Sequence, residues 1–364
     1  MIRFLAAGLL LILAACQVAP PPDKLVLKPA RFADLPSWAA ERHASLLPAL
    51  NRSCANHLRR PPDQRLHDQL PGFRGDWAGP CALVPLLALD DDLAARQFLE
   101  ANFQPFQVLN NEQPEGLFTG YYEPELRGSR QCLAPYTVPL YRLPPELAVK
   151  DKPPFPDRAA IDQGALQGRG LELVCVDDPV DAFFLHIQGS GRVNLAEGGV
   201  MRVNVAGQNG HPYVAIGREM LKDGLLEPGK VSMQSIRAWL AANPAAAPGV
   251  MARNPSYVFF REVALAPEDG PLGAEGVPLT PYRSLAVDRR FLAYGVPVFL
   301  DVDSPLGRIN WLVMAQDTGG AIRGPVRGDV FWGPGEEAAE LAGRMRQEGR
   351  LWLLLPRSVP LPRP

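Results

Sequence analysis

Apolar residues in the first third of the chain fall at helix spacing, and beyond it they gather into short runs. Between residues 35 and about 110, Leu46, Leu47 and Leu50 sit one helical turn apart, with Pro48 marking a break. Leu86, Leu89 and Leu93 follow the i, i+3, i+7 pattern, Ala94 and Phe98 extend the face, and Pro85 stands where a first helical turn tolerates proline. This pattern predicts a helix with those leucines in the core. From Gly116 onwards the texture changes to strands: Phe118 to Tyr122, Tyr136 to Tyr141, and Ala182 to Gln188. After the last of these, Gly189-Ser190-Gly191 reads as a turn leading into Arg192-Val193-Asn194 as a hairpin. Helices are expected near Pro212 to Leu225 and at Ser232 to Ala242, where Ser232 is an N-cap candidate and Ile236, Trp239 and Leu240 share a face. Tyr257 to Phe260, Val296 to Leu300 and Trp311 to Ala315 read as strands, followed by a helix at Glu336 to Gln347 and a strand at Leu351 to Leu355. Tyr122, Tyr257 and Phe259 read as core.

Composition strengthens the loop-rich, β-rich reading, since the chain holds 39 prolines and 33 glycines. Roughly 350 residues remain after the N-terminal signal, enough for two domains. In that signal Arg3 precedes the apolar stretch Phe4 to Leu13, and Leu13-Ala14-Ala15-Cys16 ends it with small residues before a cysteine. The run is too short to span a bilayer and resembles a bacterial lipoprotein signal, with Cys16 as the lipidated residue. Gln17 in place of aspartate points to outer-membrane retention, facing the periplasm. Residues 17–35, rich in proline, are expected to form an extended tether. Cys54, Cys81, Cys132 and Cys175 permit disulfides in an oxidising compartment; neighbourhood favours Cys54–Cys81 and Cys132–Cys175 among three possible pairings. A net charge of −2 argues against nucleic acid as a partner.

Several chemistries lack their signatures. The five histidines form no metal-ligand pair, and no G-x-S-x-G elbow or phosphate-binding glycine loop occurs, so neither metal nor cofactor is expected. The unusual segment runs from Ala315-Gln316-Asp317-Thr318-Gly319-Gly320 to Arg327-Gly328-Asp329-Val330-Phe331-Trp332, with its two aspartates twelve residues apart. Glycine beside acidic residues permits close approach to a ligand, and Phe331 and Trp332 would suit stacking on sugar rings. Spacing alone leaves open that both aspartates cap turns. Asp317-Thr318-Gly319 matches the aspartic-peptidase triplet, but that chemistry needs two such aspartates and the chain carries one triplet. Asp288, beside Arg289 and Arg290, reads as either a site residue or a surface ion pair, with the structural role favoured.

Five segments in order resemble the membrane-bound lytic murein transglycosylase A family. They are Thr119-Gly120-Tyr121-Tyr122-Glu123-Pro124, Ile187-Gln188-Gly189-Ser190-Gly191, Ala206-Gly207-Gln208-Asn209-Gly210-His211-Pro212-Tyr213, Asn254-Pro255-Ser256-Tyr257-Val258-Phe259-Phe260, and the region around Asp317 and Asp329. The resemblance implies a mainly β fold with helices: a double-psi β-barrel main domain, discontinuous over 36–118 and 262–364, and a smaller inserted β-barrel domain at 119–261. It implies a groove between them that holds the glycan. The family's carboxy-terminal region is marked by three aspartates; Asp317 and Asp329 match the first two, whereas the third position falls near Glu336 or Glu337.

By motif position Asp329 matches the family's catalytic acid and Asp317 a supporting residue. Thr119, Gly120, Tyr121, Gln188, Gly189, Ser190, Gln208, Asn209 and Gly210 are the expected lining of the sugar groove. The implied reaction cuts the β-1,4 bond between N-acetylmuramic acid and N-acetylglucosamine in peptidoglycan, with the C6 hydroxyl of the muramic acid attacking its own C1. One carboxyl then suffices as acid and base, because the nucleophile belongs to the substrate. Peptidoglycan strands, the outer membrane and proteins of wall synthesis or division are the implied partners. A wall-binding lipoprotein without turnover, and a hydrolase that delivers water, are the competing readings.

Overall fold

The structure is a computed structural model and describes residues 21–149 and 155–360. Cys16 and the signal segment lie outside the described residues. The chain opens with β1 (Leu25–Pro29), then α1 (Leu47–Leu58), α2 (Ala78–Leu83) and α3 (Asp92–Asn102), followed by β2 (Phe103–Asn110) and β3 (Gly116–Glu123). A second group comprises β4 (Glu125–Ser129), β5 (Val138–Tyr141), α4 (Arg158–Asp162), β6 (Glu172–Val176), α5 (Pro179–Gln188), β7 (Ser190–Leu195) and β8 (Val200–Gln208). It continues through α6 (Ile216–Lys222), α7 (Met233–Ala242) and α8 (Ala247–Met251) to β9 (Val258–Glu262). The chain then supplies β10 (Ser284–Val287), β11 (Val296–Ser304), β12 (Gly307–Ile309), β13 (Leu312–Asp317), β14 (Arg327–Pro334), α9 (Gly335–Arg344) and β15 (Arg346–Pro356).

Twelve of these strands make two closed rings, with β1 and β2 added outside β15 and β12 outside β11. In the first, β15, β3, β14, β10, β13 and β11 pair in that order, and β11 pairs back onto β15. Two of its pairings, β3 with β14 and β10 with β13, are parallel. Its apolar core is continuous with the N-terminal helices, joining Leu50, Phe98, Phe118, Val298, Trp332 and Leu353. In the second ring the order is β5, β6, β4, β7, β8, β9, and a bridge from Arg142 to Phe260 joins the ends. Leu126, Leu140, Val174, Val193, Val203 and Phe260 fill it. Disulfides link Cys54 to Cys81 and Cys132 to Cys175.

Where the rings meet, Glu123 is wholly buried and accepts from Arg192 Nε at 2.9 Å and Arg202 Nη2 at 2.8 Å. Both guanidiniums also donate to the Asp269 carbonyl, so this triad fastens the chain leaving β9 to the start of the second ring. Asn204 adds a two-way bond to the backbone of Leu272.

Several expectations need correction. Ala182 to Gln188 is not a strand but the body of α5: the Asp178 carboxylate caps Val180 and Asp181 N–H groups, Pro179 fills the first turn, and Gly189 closes the helix at φ 81°. Gly189 therefore links helix to strand, and no hairpin turn forms there. Leu86, Leu89 and Leu93 are exposed, Leu86 by 78%, because the chain breaks after a short 3-10 turn and α3 starts anew under the Asp91 cap. Its buried face is Ala95, Phe98 and Leu99. Pro48 opens α1 instead of breaking a helix. Residues 25–29, expected in the tether, pair along β2. Asp288 does pair with Arg290, and it also accepts the Gly324 N–H, pinning the loop after β13.

Candidate active site

Strand register assembles the site. Asp329 on β14 stands opposite Thr119 on β3 and opposite Ala286 on β10, and Ala286 in turn stands opposite Asp317 on β13. Thr119, Asp329, Ala286 and Asp317 thus form one row across four adjacent strands, on the face away from the apolar interior occupied by Val330 and Trp332. Between the two carboxylates the small Ala286 packs with Tyr121 and Phe331. Strand spacing puts the two aspartate backbones about 9–10 Å apart.

Each carboxylate has its own partners. Thr119 Oγ1 donates to Asp329 Oδ1 at 2.5 Å, and Arg327 Nη2 donates to the same hydroxyl at 2.8 Å. Because the hydroxyl accepts from Arg327, its single proton is directed at Asp329. Asp317 receives Tyr121 O–H at 2.9 Å on Oδ2 and Ala274 N–H at 2.9 Å on Oδ1. Both oxygens of Asp317 are therefore engaged, whereas Asp329 Oδ2 has no partner among the described residues.

Burial is the largest influence on both groups and favours their protonated forms. It lifts Asp317 to about 6, against the hydrogen bonds it accepts, with the Asp329 charge adding to the rise. Burial also raises Asp329, opposed by the Arg327 charge and the Thr119 bond. Tyr121, between them, is pushed well above the ordinary phenol range by burial and then by Asp317.

The second ring closes the other side. Tyr213, 39% exposed, follows β8; its Cβ borders the backbone of Gly320 in the loop after Asp317, and the Asp329 charge helps raise its pKa behind burial. Gln188 reaches the row less directly, accepting the Tyr122 N–H at 3.1 Å. Gln208 and Gly210 are exposed and Gly189 half-buried, while Ser190 is buried in β7. Asn209 is turned inward: it donates to the carbonyls of Pro156 and Pro255 and accepts the Tyr257 N–H. Gly120 serves packing, since a Cβ there would come within 2.3 Å of Trp332 Nε1.

Phe331 and Trp332 are fully buried, so the expectation that they stack on sugar rings is corrected; strand alternation put Trp332 into the barrel core and Phe331 against Tyr121. Glu336 and Glu337 are exposed on the first turn of α9 and bond neither aspartate. Sequence reasoning passed over Arg327, although it stands two residues before Asp329 on one strand and so on the same face. It quoted Tyr213 without assigning it a place at the site. The Ala274 N–H carries no side-chain signal. Among the described residues no group of three His, Cys, Asp or Glu could hold a metal ion.

Comparison with known proteins places this geometry. Residues 117–261 match the MltA specific insert domain and residues 283–355 match the 3D domain. A solved membrane-bound lytic murein transglycosylase from Agrobacterium tumefaciens is 37% identical, with a TM-score of 0.81 over 91% of this chain and 98% of that one. The chain belongs to the membrane-bound lytic murein transglycosylase A family. A lytic transglycosylase of Burkholderia pseudomallei is 44% identical, with a TM-score of 0.63 over 93% of this chain and 99% of its own. The family member from Escherichia coli solved with bound chitohexaose is 26% identical, with a TM-score of 0.69 over 92% of each chain. The membrane-bound lytic murein transglycosylase A of Vibrio cholerae is 35% identical over 253 residues, and the match spans 67% of this chain and 66% of that protein, just under two thirds of its length.

Proposed function

We propose that the protein is a lytic transglycosylase that cleaves the β-1,4 bond between N-acetylmuramic acid and N-acetylglucosamine in peptidoglycan and leaves a 1,6-anhydro end. Asp329 is the proposed catalytic residue. The observation that carries this reading is the asymmetry of the two carboxylates: Asp329 keeps Oδ2 open, while both Asp317 oxygens are engaged. Only an open oxygen can hand a proton to the leaving O4. Burial favours the protonated form required at the start. Once the proton has left, the carboxylate takes the proton of the C6 hydroxyl, and that oxygen closes on C1. The enzyme supplies no nucleophile, because attack within one sugar has a high effective molarity.

Asp317, held by Tyr121 and Ala274, supports the row and adds negative charge near the developing oxocarbenium ion. Thr119, oriented by Arg327, aims Asp329. The glycan is proposed to lie between the rings, against Tyr121, Gln188, Gln208 and Tyr213, with Gly189, Ser190 and Gly210 in the adjoining backbone. Residues 36–118 and 262–364 then form the main, double-psi barrel domain and 119–261 the inserted one. The relatives' names, membrane-bound lytic murein transglycosylases, support both substrate and placement. Lipidation of Cys16 would hold the protein to the outer membrane, facing the wall and its synthesis and division proteins.

The test is mass spectrometry of fragments released from purified sacculi by the wild type and by Asp329→Asn. Anhydro-muropeptides from the wild type alone are expected. Reducing-end products would mean a hydrolase, and binding without release would mean a tether.

A further inference from the structure

The second ring carries a chamber of about 530 Å³, none of whose lining residues belongs to the carboxylate row. Arg158 stands in its wall, only 3% exposed. A buried guanidinium without a counter-charge costs several kcal/mol unless its donors are met. Nε donates to the Asn254 carbonyl at 3.1 Å, and Nη2 donates to the Ser256 carbonyl at 2.7 Å and to His186 Nδ1 at 3.1 Å. Arginine only donates, so His186 is the neutral tautomer with its proton on Nε2, and burial holds its pKa well below the ordinary value. The rings of Phe183 and Tyr257 lie 4.9 and 5.1 Å from the guanidinium carbon.

Every one of these partners is neutral, and Nη1 has no partner among the described residues. The chamber therefore presents a fixed cation with no hydrogen-bonded counter-charge among the described residues. Asp162 also lines the chamber; burial raises the pKa of its carboxyl, the Arg158 charge opposes that, and the two do not form an ion pair. A neutral sugar would leave the arginine uncompensated. A carboxylate would balance it, and an amino group on the same ligand would meet Asp162.

From this arrangement we infer that the chamber is a binding site for the zwitterionic end of a peptidoglycan stem peptide, its carboxylate on Arg158 and its amino group at Asp162. The peptide's identity as a wall stem rests on the wall-cleaving function proposed above; the preference for a carboxylate does not. The site would let the protein grip a strand by its peptide while the row acts on the sugar.

Isothermal titration calorimetry of the full chain in detergent tests this with the tripeptide L-Ala-γ-D-Glu-meso-diaminopimelate. Binding is expected, with amidation of the last residue's carboxylates weakening it about tenfold or more. Asp162→Asn is expected to weaken binding of this peptide and not of a form acetylated on the free amine of its diaminopimelate. Arg158→Gln is expected to abolish binding; because Arg158 also holds the Asn254 and Ser256 carbonyls, ligand amidation provides the arm independent of folding. Equal affinity for acid and amide, or no binding of the peptide, overturns the site. Diaminopimelate alone binding as tightly as the tripeptide overturns the stem assignment. Digestion of peptide-free glycan strands by the wild type reports on the wall-cleaving function separately, so its failure leaves the calorimetry to decide the site.

Discussion

The two rings have the same number of strands and opposite polar chemistry. In the first, Thr119, Asp329 and Asp317 project from neighbouring strands, so hydrogen-bond register fixes their spacing. In the second, Arg158 projects from a short helix and is held by loop carbonyls at Asn254 and Ser256. Strand register positions groups relative to one another, which bond breaking demands. A carbonyl cradle fixes a charge in one place without a paired group, which suits recognition. The first arrangement also favours neutral carboxyls through burial, while the second keeps a permanent cation that cannot discharge.

That contrast breaks down if turnover survives loss of the row. Asp329→Asn is expected to lower kcat by about 10²–10⁴-fold, the usual reach of a general acid–base group, with melting unchanged or raised; release assays and thermal melts read both. Retained turnover would mean that the row does not carry the chemistry. Glu123→Ala, at the joint between the rings, is expected to destabilise by about 3–5 kcal/mol because Arg192 and Arg202 would lose their shared buried anion; denaturant unfolding measures it. Thr119→Val removes a hydrogen bond to a charged group, worth about 1.5–3 kcal/mol, and is expected to lower kcat about 10- to 100-fold with little change in KM.

A smaller effect separates the two carboxylates. Asp317 rises from 3.8 to about 6 in the folded protein, so the native state holds its proton more tightly than the unfolded chain does. Its contribution to stability is present below pH 4 and lost as pH climbs to about 6. Asp317→Asn is expected to remove that slope, as seen in melting temperatures across the window. An unchanged slope would place the titration elsewhere.

Much of this architecture was legible in the sequence, and the gaps have definite causes. Strands at 296–300 and 311–315, the helix capped by Ser232 and the favoured disulfide pairing all appear in the structure. The apolar run from Ala182 to Gln188 misled because a buried helix and a buried strand share one composition; Asp178, Pro179 and Gly189 held the deciding signals. Leu86, Leu89 and Leu93 misled because spacing does not reveal where a cap restarts a helix. Asp317 and Asp329 stood out by their glycines. Their distinct hydrogen-bond environments did not, since Thr119, Tyr121 and Ala274 arrive from distant segments. Phe331 and Trp332 looked like sugar platforms, but strand alternation put Trp332 into the barrel core, and Phe331, on the Asp329 face, is covered by Tyr121 and Leu279. The Arg158 chamber had no local pattern at all.

The central claim is that the substrate's own hydroxyl, rather than water, completes the reaction at Asp329. Digestion of sacculi in water enriched with oxygen-18, followed by mass spectrometry of the newly formed muramic acid ends, tests it most directly. Unlabelled anhydro ends are predicted. Ends carrying one oxygen-18 would show that water attacks at C1 and would contradict the account.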